Sequence, residues 1–124
     1  MRDRFNRYIE KLQEKITSKL ADLDSVAMFK EDVWEREGGG GGRTRVIENG
    51  AVFEKAGVNI SAVHGKLPES MKNFFKAKTG QFFACGLSLV IHPKNPFVPT
   101  VHANWRYFEL YNSKGEIQDQ WFGG

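Results

Sequence analysis

Polar and apolar residues alternate along two segments, 83–91 and 101–107, which flank a turn that contains three prolines. Successive residues of a strand point to opposite faces of a sheet, so this alternation predicts two strands, each with an apolar and a polar face. Pro93, Pro96 and Pro99 prevent a helix from running through the connection. We therefore predict that the two strands pair as antiparallel neighbours.

One face of this predicted strand pair carries polar groups of different chemistry. They are Ser88, His92, His102, Asn104 and Arg106. Residues i and i+4 of a strand lie about 13 Å apart, so His102 and Arg106 span the length of a large ligand. An arginine fork binds carboxylate or phosphate, and histidine transfers protons near neutral pH. The pattern indicates a site for an anionic ligand, with a solvated polar face as the alternative interpretation.

Two histidines of this face are candidates for metal binding. Neutral imidazole is a common metal ligand, so His92 and His102 could share one ion across the strand pair. The sequence places no carboxylate or thiolate beside them. A structural His92, hydrogen-bonded in the turn next to Pro93, is the alternative.

The N-terminal region, residues 1–30, repeats apolar residues at steps of three and four and predicts an amphipathic helix of about six turns. The apolar positions are Phe5, Tyr8, Ile9, Leu12, Ile16, Leu20, Leu23 and Ala27. Five glycines follow at 38–42. They are either a flexible linker or a backbone that approaches an anion, helped by Arg43 and Arg45.

Residues 44–122 are predicted to be mainly β. The signals are a hairpin over 44–55 that turns at Glu48-Asn49-Gly50, a strand over 58–63, a short helix from Pro68 that ends before Gly80, a turn over 111–115 and a last strand over 116–122. Together with the N-terminal helix these elements predict an α+β fold in one domain, residues 1–124. The main feature is an antiparallel sheet flanked by helices.

Composition narrows the classes of partner. The formal charge of +3 is spread along the chain without a dense basic run, which argues against nucleic acid as a partner. A single cysteine, Cys85, lies on the apolar face of its predicted strand and is interpreted as a buried, inert thiol. No segment has the apolar length of a membrane span, and we expect a cytoplasmic protein.

Several motifs resemble one enzyme family closely. They are Trp34-Glu35-Arg36-Glu37-Gly38-Gly39-Gly40-Gly41, Val52-Phe53-Glu54-Lys55-Ala56-Gly57-Val58-Asn59, His92-Pro93-Lys94-Asn95-Pro96, Pro99-Thr100-Val101-His102-Ala103-Asn104 and Arg106-Tyr107-Phe108. In this order they resemble the N-terminal part of the oxygen-dependent coproporphyrinogen III oxidases of haem biosynthesis. The resemblance implies an enzyme that oxidatively decarboxylates two propionates of coproporphyrinogen III to vinyl groups, giving protoporphyrinogen IX.

The resemblance also implies cofactors and partners. Molecular oxygen is the electron acceptor, no flavin or haem is expected, and a divalent metal is ascribed to bacterial members. Family members are homodimers, and the segment Val46 to Lys55 matches one linked to dimerisation. Their fold is a flat antiparallel sheet with helices on both sides. Some eukaryotic members are mitochondrial.

The resemblance also implies roles for individual residues of this sequence. His102 matches the proton donor, while Ser88 and the segment Asn104-Trp105-Arg106 match substrate-binding positions. His92 and His102 match supposed metal ligands. Gln120 departs from the family pattern, which has a second tryptophan there.

The resemblance further implies that family sequences continue beyond Gly124 with an Asp-Leu-Thr-Pro run, whose aspartate acts on a pyrrole N–H. We therefore expect a fragment of about half a family member, inactive as an oxidase by itself. Two alternatives stay open: a non-catalytic module that binds an anionic tetrapyrrole, and a structural half that requires a companion chain.

Overall fold

The computed structural model describes residues 1–76 and 80–124, which form two helices and six strands. The elements are α1 (Arg2–Asp24), β1 (Lys30–Glu35), β2 (Gly40–Glu48), β3 (Phe53–Lys66), α2 (Glu69–Phe75), β4 (Gln81–Pro93), β5 (Val101–Tyr111) and β6 (Ile117–Gly123). The strands form one antiparallel sheet in the order β1-β2-β3-β4-β5-β6. This confirms the predicted α+β fold with an antiparallel sheet.

Most predicted elements are present with shifted limits. Glu48 pairs with Lys55 in the predicted hairpin, and Asn49 takes a positive φ of 56° in its turn. The predicted strand at 58–63 is the second half of β3, which continues from that hairpin. Helix α2 follows Pro68 as predicted and ends at Phe75; residues 77–79 of the predicted helical region lie outside the described residues.

The core lies between α1 and one face of the sheet. Alternate residues of the central strands point toward the helix, and their partners across the sheet share that face. The buried cluster contains Ile9, Leu20, Phe53, Val58, Ile60, Phe83, Cys85, Leu87, Leu89 and Tyr107. α1 does not cover the opposite face of β3, β4 and β5, which we call the open face. Phe75 of α2 lies against this face at Phe108 and Trp121.

The buried face of α1 differs from the predicted one. Tyr8 and Leu23, two of the apolar positions of the predicted amphipathic helix, are 55% and 65% exposed and lie outside the buried face. Gln13 is fully buried instead and donates hydrogen bonds to the backbone oxygens of Arg43 (2.9 Å) and Val58 (2.8 Å). A polar side chain is stable there because its hydrogen bonds are satisfied by the strands. Hydrophobic periodicity cannot identify such a position.

The glycine segment is part of the sheet. Gly40, Gly41 and Gly42 belong to β2 and pair with both β1 and β3, so neither the linker nor the anion-loop interpretation is correct. A Cβ atom would lie 2.1 Å from the Ala62 oxygen at Gly40 and 2.3 Å from the Trp34 oxygen at Gly41. Glycine is therefore required because neighbouring backbones approach too closely for a side chain.

Asp24 joins the end of α1 to the turn between β2 and β3. Its carboxylate is fully buried and accepts hydrogen bonds from the backbone N–H groups of Val26, Ala27, Ala51, Val52 and Phe53, at 2.9 to 3.3 Å. These hydrogen bonds, led by those from Ala27 and Phe53, hold the pKa of Asp24 well below its usual range. One carboxylate thus fixes the position of the helix on the sheet.

We expect Asp24→Asn to destabilise the fold, because an amide cannot accept five N–H groups and its own N–H₂ would oppose some of them. The thermal midpoint near pH 7 should fall by more than about 5 °C, with Asp22→Asn, which alters an exposed carboxylate, as the control.

The pH dependence has a definite sign. Because folding lowers the pKa of Asp24, its contribution is complete above the unfolded pKa of about 4 and is lost as the pH falls below that value. Thermal unfolding followed by circular dichroism should therefore show a smaller acid destabilisation in Asp24→Asn than in the parent chain. Equal slopes below pH 4 would contradict this account.

Candidate functional site

The predicted polar groups share the open face. Ser88 of β4 pairs with Asn104 of β5, Gly86 pairs with Arg106, and Val90 pairs with His102. Directly paired residues point to the same face, so Ser88, His102, Asn104 and Arg106 lie together. The prediction of a common face for these four residues is confirmed.

A concave pocket of about 590 Å³ occupies the open face. Its polar lining includes Asn59, Ser61, Ser88, Asn104 and Arg106, and its aromatic lining includes Trp34, Phe75, Phe108 and Trp121. Apolar walls with a few convergent polar groups are typical of small-molecule sites. We call this volume the open-face pocket.

Two glycines shape the floor of this pocket. A Cβ atom at Gly42 would lie 2.3 Å from Cζ2 of Trp34, and one at Gly86 would lie 3.0 Å from Cγ of Arg106. The missing side chains allow the indole to lie flat against β2 and the arginine stem to cross β4. Trp34 is held in this position because its Nε1 donates a hydrogen bond to Thr44 Oγ1 at 3.2 Å.

A stack of aromatic rings closes one end of the pocket. The rings of Phe108 and Trp121 are 4.6 Å apart at 27°, and Phe75 of α2 lies 5.6 Å from Phe108. Phe82 stacks on the other side of Phe108 at 5.7 Å and 6°. These rings offer flat apolar surface to a ligand.

Arg106 is the cation that lines the pocket within the described residues. Arg106 is exposed, and within residues 1–76 and 80–124 no carboxylate forms an ion pair with its guanidinium. Arg43 and Arg45 lie on the opposite face, where both contact Glu14 of α1 at 3.2 and 2.8 Å. The guanidinium of Arg106 is therefore available to an anion, whereas those of Arg43 and Arg45 are already engaged.

Hydrogen bonds on the face toward α1 hold the strand that carries Arg106 in position. On the face toward α1, the Tyr107 hydroxyl donates to buried Glu109 at 2.6 Å, and Tyr111 donates to the other oxygen of that carboxylate. Burial and the neighbouring carboxylate raise the pKa of Tyr107 above its ordinary value, so it stays a donor. Gln120 Oε1 lies 2.8 Å from the same hydroxyl, which gives this departure from the family pattern a polar partner.

The two histidines do not by themselves complete a metal centre. His102 lies opposite Val90, and His92 lies two residues further along β4, opposite Lys55. Among the described residues no group of three or more His, Cys, Asp or Glu side chains is placed to hold an ion. Zinc sites in proteins use at least three protein ligands, so His92 and His102 alone would not complete such a site. A shared ion on His92 and His102 stays a prediction.

The side chains of Trp105 and Cys85 belong to the face of α1. Trp105 pairs with Leu87 and so points to the face of α1, and only its backbone borders the open face. The predicted substrate contact of Trp105 therefore cannot involve its indole on this face. Burial raises the pKa of the Cys85 thiol to about 11, in agreement with an inert buried cysteine.

Sequence reasoning missed part of the pocket. Asn59 and Ser61 lie on the open face because they pair with Ser88 and Gly86, and their alternation with Val58 and Ile60 was the available signal. Trp34 comes from a short charged strand without any clear period. Only the pairing of β1 with the glycines of β2 brings it to the pocket.

Comparison with known proteins defines the class. The family of coproporphyrinogen III oxidases matches residues 4–124, and the chain belongs to this family. It is 50% identical over 99% of its length to the oxygen-dependent coproporphyrinogen-III oxidase of Prochlorococcus marinus (strain MIT 9515). It is 48% identical over its whole length to the chloroplastic enzyme of Glycine max, and 47% identical to the mitochondrial enzyme of Rattus norvegicus.

The chain spans only part of these relatives. It covers 35% of the Prochlorococcus and Glycine max proteins and 30% of the rat protein. The expected share of about half was therefore too large.

Proposed function

We propose that the chain forms one wall of the active site of an oxygen-dependent coproporphyrinogen III oxidase in haem biosynthesis. The observation that supports this best is the guanidinium of Arg106, which has no ion-pair partner among the described residues and lies beside a pocket lined by aromatic rings. Coproporphyrinogen combines four carboxylates with a large, partly apolar macrocycle. The two halves of the pocket match these two properties.

Each residue has a distinct role in this proposal. Arg106 binds one propionate through two parallel hydrogen bonds, which fixes the orientation of the substrate. Ser88 and Asn104 supply neutral hydrogen bonds next to it, and the rings of Phe108 and Trp121 contact the macrocycle. Holding the substrate in one pose lowers the entropic part of the barrier.

His102 is proposed to transfer protons to or from the reacting group. It lies on the open face, beyond the pocket lining and about 13 Å from Arg106. Each propionate becomes a vinyl group by losing CO₂ and two hydrogens, and oxygen accepts the two electrons. A histidine near the reacting group can supply or remove the proton that this change requires. No organic cofactor is needed for this role.

Dimerisation and compartment are separate proposals. The segment Val46 to Lys55 is proposed to contact a second copy of the chain, and its turn is held rigid by Asp24.

Neither helix of the described part is long and apolar enough to cross a membrane. Named relatives are chloroplastic or mitochondrial. A cytoplasmic location stays a prediction for this chain.

A non-catalytic tetrapyrrole-binding module is the second candidate. Within the described residues the open-face pocket is lined by the sheet and by Met71 and Phe75 of α2, and a carrier would need no more than that. The two functions differ in oxygen consumption: an oxidase consumes oxygen with coproporphyrinogen, and a carrier binds the compound unchanged.

The first test concerns substrate binding in a full-length enzyme, made by placing this chain in the matching segment of the Prochlorococcus relative. Arg106→Lys should raise KM roughly ten- to a hundredfold, about 1.5–3 kcal/mol, because an ammonium cannot reproduce the bidentate contact. Arg7→Lys, an exposed change on α1, is the control. Unchanged kinetics would remove Arg106 from the site.

The second test concerns proton transfer in the same enzyme. His102→Ala should lower kcat by about a hundredfold or more with an unchanged thermal midpoint, the usual scale for losing a general acid or base. His64→Ala, at the exposed end of β3, is the control. If activity survives while a dependence on added metal disappears, ligation describes His102 better than proton donation.

The third test concerns the chain alone. A pocket that is not closed on the side away from the sheet cannot exclude water from a macrocycle or hold it in a reactive pose, so we expect little oxidase activity. Exposed apolar groups such as Phe74 and Phe122 should also favour association. Oxygen-dependent formation of protoporphyrinogen by the purified, mass-verified chain checks this. Turnover near that of the full-length enzyme would overturn it.

A further inference from the structure

A row of small residues crosses the floor of the open-face pocket. Gly42 of β2 pairs with Ser61 of β3, which in turn pairs with Gly86 of β4. One end of the row is Trp34 of β1, the partner of Gly42. The other end is Arg106 of β5, the partner of Gly86. Directly paired residues point to the same face, so the floor lies between an indole and a guanidinium.

Both end residues lean inward over the glycine next to them. Cζ2 of Trp34 occupies the space that a Cβ atom at Gly42 would need, and Cγ of Arg106 approaches the same position at Gly86. The two glycines are two strand spacings apart, about 10 Å, with only Ser61 between them. The indole and the arginine stem therefore approach each other from opposite ends of a low floor.

Different side chains border the two long sides of this floor. The row on one side is polar and includes Asn59, Ser88 and Asn104. The row on the other side is apolar and includes Ala84 and Phe108. The floor is thus a trough that ends in an anion-binding group and an aromatic ring. Its shape suits a broad ring system with charged substituents at its rim.

The indole of Trp34 is already fixed in place. Its Nε1 donates a hydrogen bond to Thr44 Oγ1 at 3.2 Å, and the residue is half-buried while it lines the pocket. A side chain that is ordered before the ligand arrives loses little conformational entropy on binding. Trp34 therefore offers the pocket a ring in a defined position.

We propose that the macrocycle of the substrate lies on this floor, with one propionate at Arg106 and the pyrrole ring on the far side packed against the indole of Trp34. This rests on the proposed function, because it takes the ligand to be a tetrapyrrole with carboxylates at its rim. Trp34 is then a substrate-binding residue. Together with Arg106 it fixes the orientation of the macrocycle from two opposite sides.

The test measures binding without turnover, in the full-length enzyme that carries this chain and in the absence of oxygen. Coproporphyrinogen III is compared with its tetramethyl ester, which keeps the macrocycle but has no carboxylate. Trp34→Leu, which removes the ring, should weaken binding of both ligands by roughly fivefold or more. Trp34→Phe keeps a ring and should bind both within about threefold of the parent protein. Arg106→Lys should weaken binding of the acid alone.

Substitutions at Ser61 test the floor independently of the indole. Ser61→Leu places a larger side chain between Trp34 and Arg106, so it should weaken binding of both ligands by roughly tenfold or more. Ser61→Ala is the matched control, because it leaves the floor low and should bind both ligands within about threefold of the parent protein. Equal affinities of Ser61→Leu and Ser61→Ala would overturn the proposal, even if the Trp34 variants failed to fold.

Stability separates ligand contact from a structural role of Trp34. The control is Val33→Ala, which alters a 68% exposed side chain on the opposite face of β1 and should bind like the parent protein. Thermal midpoints are measured first, and affinities are compared at a temperature where each variant is folded. If Trp34→Phe binds as weakly as Trp34→Leu, or if neither changes the affinity, the ring does not contact the ligand and the proposal is overturned.

The same variants distinguish this inference from the proposed function. If Arg106→Lys weakens binding of the acid while the Trp34 and Ser61 variants bind like the parent protein, this inference fails and the proposed function stands. If neither ligand binds the parent protein, the proposed function itself fails.

Discussion

The packing of α1 against one face of the sheet is the constraint on which the rest of the structure depends. Ile9 and Leu20 of the helix meet Val58, Leu87 and other residues of the central strands, and this contact buries one face of β3 and β4. Strand residues alternate, so burying one set leaves the other set together on the opposite face. A shift by one residue in any central strand would move its polar groups into the core. The register that buries the core therefore also assembles the open-face pocket.

Polar contacts determine where the helix lies on the sheet. Apolar packing is nondirectional, so it does not fix how far α1 is shifted along the strands. Gln13 binds backbone oxygens on β2 and β3, and Asp24 binds the backbone N–H groups of the turn that joins them. These directional bonds hold both the middle and the end of the helix, and they belong to buried groups that are costly to leave unpaired. The scaffold beneath the pocket is thus rigid where a binding site needs support.

The pocket combines two kinds of surface that seldom occur side by side in a protein core. One part is a polar row across β3, β4 and β5, and the other is the stack of aromatic rings around Phe108. Glycines at 42 and 86 leave the space in which Trp34 and the stem of Arg106 lie. The cation and the aromatic rings thus lie within one pocket, on the face that α1 does not cover.

The sequence by itself determined the elements with a clear period and the grouping of Ser88, His102, Asn104 and Arg106, because alternation in two neighbouring strands depends only on local geometry. Its motifs also determined the family. Only the tertiary structure decided the conformation and burial of residues whose partners are distant along the chain. The five glycines form strand and turn because the backbones of β1 and β3 approach them closely. Gln13 and Asp24 are buried because backbone groups of the strands and their turn satisfy their hydrogen bonds. Trp34 reached the pocket through the pairing of a charged edge strand that has no period of its own. Hydrogen bonds and close approaches between distant segments leave no mark on local hydrophobic patterning, which is why these features became visible only in the folded chain.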